Sequence, residues 1–143
     1  MKKFIIFSVL ILVILIITGL VLDWGRRDAI APISEAEVTI KVDLPKVDQE
    51  IKSPIKISGV AKGTWFFEGS FPINLVDSNG TVIASGLATS AKDWMTEDFI
   101  DFSSIISFEK PTSTKHAILI LKKDNPSGDP DLDESIFVPV VLR

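Results

Sequence analysis

Residues 63–80 read GTWFFEGSFPINLVDSNG. Odd positions hold Trp65, Phe67, Phe71, Ile73 and Leu75; even positions hold Phe66, Glu68, Ser70, Pro72 and Asn74. Side chains of a strand alternate between its faces, so this period of two predicts a buried face carrying Trp65 and Phe67 and an outer face carrying Phe66 and Glu68. Gly69 in mid-run predicts a bulge or bend. The run ends on Asp77-Ser78-Asn79-Gly80, where Asn-Gly suits the positive φ of a hairpin turn, and Thr81 to Leu87 returns as the partner strand.

The same period extends outward in both directions. Val38, Ile40, Val42 and Leu44 alternate with Thr39, Lys41 and Asp43, and Ile51, Ile55, Ile57 and Ala61 alternate with lysines and Ser58. Beyond a loop holding Lys92-Asp93-Trp94-Met95-Thr96, Ile100, Phe102, Ile106 and Phe108 alternate, interrupted by Ser103-Ser104. Ala117 to Leu121 is a continuous apolar run suited to a central strand buried on both faces. Ile136, Val138, Val140 and Leu142 form a last strand, which Pro139 assigns to an edge because proline cannot donate to a ladder. The residues after Glu37 carry no helical period. They predict an all-β domain over 38–143, an immunoglobulin-like antiparallel β-sandwich of about seven strands. With no Cys, the disulfide of antibody-type domains is excluded, as are thiol catalysis and zinc–thiolate sites.

The amino-terminal end is of another kind. Phe4 to Leu22 is an uncharged run, FIIFSVLILVILIITGLVL. Its 19 residues as a helix would reach ~29 Å, enough for a hydrocarbon core of roughly 30 Å. Ala29-Ile30-Ala31 has the small-x-small form of a signal-peptide cleavage site, but the run exceeds the usual h-region of about 7–15 residues and Ala31 lies well past its end. The expected organisation is therefore a membrane anchor over 1–22, with a signal-anchor helix at 4–22, a charged and Pro-containing tether over 23–37, and the β domain. Lys2 and Lys3 are balanced by Arg26 and Arg27, and a three-residue tail before a large domain favours a carboxy-terminal domain outside the cytoplasmic membrane.

All 19 acidic residues and 13 of the 15 basic ones lie beyond Leu22, so the rest of the chain carries a formal charge of −6. Such a surface offers no electrostatic footprint for nucleic acid. His116 is the lone histidine and borders an apolar run, with no nucleophile elbow to serve, and reads as a strand-end residue. Asp129, Asp131 and Asp133 in DPDLDE have the spacing with which calcium loops begin, making them weak calcium candidates. The pattern then departs: the sixth position is Glu134 where a turn glycine is needed, and the twelfth is Val140 where a bidentate Glu is needed. No catalytic residue and no cofactor is expected. Phe66 and Glu68, with Trp94 and Met95 in the long loop, form a candidate interaction surface, because exposed aromatics are enriched in interfaces. The competing reading folds the loop aromatics back over the open end of the sandwich.

Three strings carry a resemblance: ISGVAKGTWFFEGSFPINLVDSNGTVI, DWMTEDFIDFSSIISF and LILKKDNPSGDPDLDESIFVPVVL. Together they resemble the immunoglobulin-like domain associated with bacterial spore germination, over roughly Val38 to Arg143, most tellingly at Gly59, Trp65, Phe67-Glu68-Gly69, the Asp77–Gly80 turn and Lys122–Gly128. The resemblance implies an extracytoplasmic cell-envelope module without known catalytic activity, serving in binding or assembly. The expected function is non-catalytic recognition of an envelope protein or wall polymer, germination- or sporulation-related by resemblance, through loops or an exposed strand edge. The alternatives are a carbohydrate-binding module built on Trp94 and Phe66, and a calcium-dependent or hydrolytic domain using the acidic loop.

Overall fold

The computed structural model describes residues 37–111 and 114–143. The expected anchor over 1–22 and all of the tether except Glu37 lie outside the described residues. Among the described residues, no helix is long and apolar enough to cross a membrane.

Eight strands form the domain: β1 (Ile40–Leu44), β2 (Gln49–Ile51), β3 (Ile55–Lys62), β4 (Ser70–Asp77), β5 (Val82–Ser90), β6 (Phe99–Ile106), β7 (His116–Lys122) and β8 (Ser135–Leu142). They are ordered β1-β3-β6-β5-β4-β7-β8-β2 in one curled sheet. The β5–β6 junction is only two residues wide, Thr89 with Ser103 and Ser90 with Phe102. A three-strand half, β1-β3-β6, and a five-strand half thus meet along a narrow seam and enclose the core between them.

About seven antiparallel strands were expected, and the difference lies in Val38–Ala61. Ile51 and Ile55 do not belong to one strand, because the Ser53-Pro54 corner interrupts it. The chain leaves β1, makes the three-residue β2, and crosses to the opposite half of the sheet. There β2 pairs in parallel with β8, Gln49 to Val140 through Ile51 to Leu142. Pro139 consequently does not mark the sheet edge, since β2 lies outside β8. The carbonyl of Pro139 accepts from the Asp48 N–H at 2.8 Å. A residue's N–H and C=O point to the same side of a strand, so the side on which proline lacks a donor faces the short strand just where its pairing begins.

The core follows the period of two. In β3 the odd residues Ile55, Ile57, Gly59 and Ala61 are buried; in β6 the even residues Ile100, Phe102, Ser104 and Ile106 are buried. Ser103-Ser104 therefore does not interrupt the strand. A small hydroxyl simply takes an inward position. In β7, Ala117, Leu119 and Leu121 face inward while Ile118 and Ile120 are half-buried on the other face, so the run expected to be buried on both faces is buried fully on one.

Trp65, Phe66, Phe71 and Phe102 form an edge-to-face cluster centred on Phe71, with ring centroids 5.5 Å from Trp65 and 5.1 Å from each of Phe66 and Phe102. Trp65 is in the core as expected. The parity of the next two residues is reversed: Phe66 is buried, at 4% exposure, and Phe67 is 41% exposed. The cause is local. Gly63–Trp65 is one turn of 3-10 helix, which breaks the two-residue phase. Glu68 and Gly69 then form a two-residue hairpin turn, with φ 51° and 77° and reciprocal hydrogen bonds between Phe67 and Ser70 at 2.9 and 3.1 Å. Positive φ at both central residues identifies a type I′ turn, so Gly69 marks a reversal of the chain and not a bulge within one strand.

The Asp77–Gly80 turn joins β4 to β5 as expected, but by a different geometry. Gly80 takes positive φ, at 81°, and Asn79 does not. The Asp77 carboxylate accepts from the N–H groups of Asn79 and Thr81, both at 2.8 Å. The turn is thus held by an aspartate closing onto the backbone ahead of it.

Candidate functional site

Gly63 is where the candidate site begins. A Cβ there would lie 1.9 Å from the Thr96 carbonyl oxygen and 2.3 Å from that of Trp94, so only glycine admits the 91–98 loop at this distance. Its N–H donates to the Asp98 carbonyl at 3.2 Å, and its own carbonyl accepts from Phe66 at 3.1 Å. The loop closes on itself as well. The Met95 N–H donates to Asp93 Oδ1 at 3.1 Å, the Thr96 N–H to the Trp94 carbonyl at 2.8 Å, and the Asp98 N–H to Thr96 Oγ1 at 3.2 Å.

This brings the four candidate interaction residues to one end of the domain. Thr64, Phe66, Trp94, Met95 and Glu97 line an open hollow of about 300 Å³. Its floor is the edge of the buried Phe66, and Met95 stands out at its rim, 75% exposed. Trp94 is half-buried against the core. Its ring also packs against the type I′ turn, where a Cβ on Gly69 would lie 3.3 Å from Trp94 Cδ1. The exposed Glu68 is the turn residue beside it. The loop aromatic Trp94 thus folds back onto the core, and Phe66, which strand parity placed outside, is buried. Met95 and Glu68 remain outside. A pocket of this kind sits at the small end of the range that holds small ligands or a single anchoring side chain. Glu97 lines it, and Asp93 and Asp98 share its loop with one cation, Lys92, so the potential there is suited to a neutral or cationic group.

Sequence reasoning missed Gly63 and Thr64. The signal for the first lay in Gly63 standing two residues before the run Trp65-Phe66-Phe67, but the residues that make glycine necessary, Trp94 and Thr96, are some thirty positions away.

The acidic loop is organised around Asn125. Its Nδ2 donates to the Asp129 carbonyl at 2.7 Å and to Asp133 Oδ1 at 3.0 Å, while Ser127 Oγ donates to Asn125 Oδ1 at 2.5 Å. Asp129 caps the 3-10 turn Pro130–Leu132 by accepting from the Asp131 N–H at 3.1 Å, and Asp133 lies 3.9 Å from Lys122. Glu134 accepts from the Thr39 hydroxyl, which ties the loop's end to the start of β1. Among the described residues no three Asp, Glu, His or Cys side chains stand together as a metal cluster. His116 is exposed at the start of β7.

Among the described residues, Asp77 is a titratable group whose environment clearly moves it. The backbone N–H of Thr81, and then that of Asn79, stabilise its charged form and hold it below the ordinary carboxylate value, against an opposing push from burial.

Comparison with known proteins places the chain. Neither the curated proteins nor the solved structures contain a match to it. A family model described as the immunoglobulin-like domain of bacterial spore germination matches residues 39–129, from the entry to β1 through β7 and into the acidic loop. With that match spanning more than half of the chain, and with the eight-stranded all-β architecture beneath it, the protein belongs to the family of immunoglobulin-like domains of bacterial spore germination.

Proposed function

We propose that this chain is a membrane-anchored, extracytoplasmic module that recognises a protein of the bacterial cell envelope without catalysing a reaction. The observation that carries this reading is the hollow beneath Met95: an aromatic floor and an exposed thioether rim, on a loop locked by the Gly63 backbone. A rigid apolar recess with a flexible methionine at its mouth suits the capture of one anchoring side chain. The acidic rim favours a basic or neutral segment over an anionic wall polymer. The anchor is inferred from the uncharged run at 4–22.

The test is photocrosslinking in living cells with the full chain, placing probes at Met95, at Phe67 and, as a distant comparison, at Asp129. A discrete protein adduct from Met95 that is absent from Asp129 is the expected result. Equal adducts from all three sites, or only lipid and background, would sink this reading. Quenching of Trp94 fluorescence by neutral glycan fragments would favour the carbohydrate-binding alternative. A melting temperature raised by millimolar calcium would favour the calcium-dependent one.

A further inference from the structure

Charge is distributed unevenly along the domain. β3, β5 and β7 each end where β4, β6 and β8 begin, so the connections 63–69, 91–98 and 123–134 share the end that holds the hollow. The third is tied to the first by the Asp124 N–H, which donates to the Trp65 carbonyl at 3.1 Å. These connections carry nine acidic side chains against two lysines, while the rest of 38–143 carries six acidic side chains against nine basic ones. One of the two lysines, Lys123, already lies 3.9 Å from Glu134. The end with the hollow is therefore strongly negative, although the remainder of the domain is not.

The lining of the hollow is divided in the same sense. Phe66, Trp94 and Met95 present carbon and sulfur, and Glu97 is the charged side chain among the lining residues. An apolar wall beside one carboxylate matches a long basic side chain, whose alkyl stem is apolar and whose head is charged. A neutral anchor would fill the apolar part but draw water away from Glu97 without replacing it. An acidic anchor would meet repulsion from all three connections.

We infer that the hollow takes the side chain of a lysine or arginine, carried on a basic segment of an envelope protein. Its stem lies against Phe66, Trp94 and Met95, and its head meets Glu97. Asp93, Asp98 and Glu68, on the two connections that form the hollow, add a field that draws cations in before contact. A second copy of the chain offers no comparable complement. The opposite end, at 45–54, 107–115 and 143, mixes five basic side chains with three acidic ones, and Arg143 there lies 3.6 Å from Glu50. This inference rests on the recognition reading above and narrows it to one chemistry of partner.

The chain has two methionines, Met1 and Met95. Full-length protein labelled at the methionine methyl groups and held in a non-ionic detergent thus gives one magnetic-resonance signal from the rim of the hollow and one from the chain start. The probes are capped peptides in which a single arginine, lysine, norleucine or glutamate is flanked by glycines. The arginine and lysine peptides are expected to shift the Met95 signal to saturation and leave Met1 unmoved, and the other two to leave both unmoved at equal concentration. Glu97→Gln is expected to weaken the arginine response about fivefold, as loss of a solvent-accessible charge pair does. Glu109→Gln, which removes one exposed carboxylate at the opposite end, is expected to leave it unchanged. An unshifted Met95 signal in either free variant confirms that the loop is intact. An equal shift from the norleucine peptide would overturn the inference while leaving an apolar anchor, and with it the recognition reading, in place. No shift from any probe, or an equal loss from Glu97→Gln and Glu109→Gln, would overturn it too. The recognition reading fails separately, on the lack of a protein adduct from Met95 in cells.

Discussion

Glu68 takes a left-handed backbone conformation that glycine or asparagine adopts more readily, because a Cβ there crowds the neighbouring carbonyl. Glu68→Asn is therefore expected to stabilise the domain by up to about 1 kcal/mol, read as a higher urea midpoint at unchanged slope. A neutral or negative change would show that the glutamate side chain contributes more than the backbone loses. Asp77 carries the opposite kind of information. Its charged form is favoured in the fold, so its contribution to stability is complete above the ordinary carboxylate value of 3.8 and is lost as pH falls through the lowered folded value. Asp77→Asn keeps an acceptor for the Thr81 N–H but cannot titrate. Its melting temperature is expected to fall less steeply than that of the parent chain on acidification below that value, and parallel profiles would contradict the assignment. Asp77 lies in a turn that the sequence announced, whereas at Gly69 the sequence announced only a bulge or bend. That Glu68 would sit at the apex of a turn was concealed by the apolar alternation around it, which reads as a single strand.

At the scale of the element, the 91–98 loop has no period and little apolar content, yet it builds most of the hollow. Its position is set by a contact between backbones, Gly63 against the carbonyls of Trp94 and Thr96. Gly63→Ala is expected to cost about 1–3 kcal/mol, as overpacking does, and to push the loop away from Phe66. The measurement is the emission of Trp94 in chains whose other tryptophans, Trp24 and Trp65, are replaced by Phe: a red shift with a retained cooperative melt is expected. An unshifted spectrum would mean that the core holds the loop without Gly63. The strands themselves were far easier to read than this loop. β3 and β6 alternate over eight residues and β4 over its first six, and each has a buried face where that alternation places it. β2 was missed because three residues are too few to express a period, and its pairing partner, β8, lies at the other end of the chain.

For the whole molecule, the narrow β5–β6 seam means that the two halves are joined chiefly by what they bury between them. Gly86 lies at that contact, where a Cβ would stand 2.9 Å from Ile106 Cγ1 of the opposite half. Gly86→Val is expected to wedge the halves apart at a cost of about 1–3 kcal/mol, seen as a lower melting temperature. The same change should speed amide exchange more in β5 and β6 than in β7; uniform acceleration would mean that the halves open only together. The all-β class, most strands, the core role of Trp65 and Phe71 and the family were legible in the sequence. Period, turn residues and composition are properties of neighbours along the chain, and they express the physics of a half-buried strand directly. The crossing of β2 to β8, the burial of Phe66 in place of Phe67, and the gathering of Phe66, Trp94 and Met95 around one hollow were decided by the tertiary structure. Each depends on which distant backbones come within van der Waals or hydrogen-bond distance, and alternation along a single strand holds no record of the strand that will lie beside it.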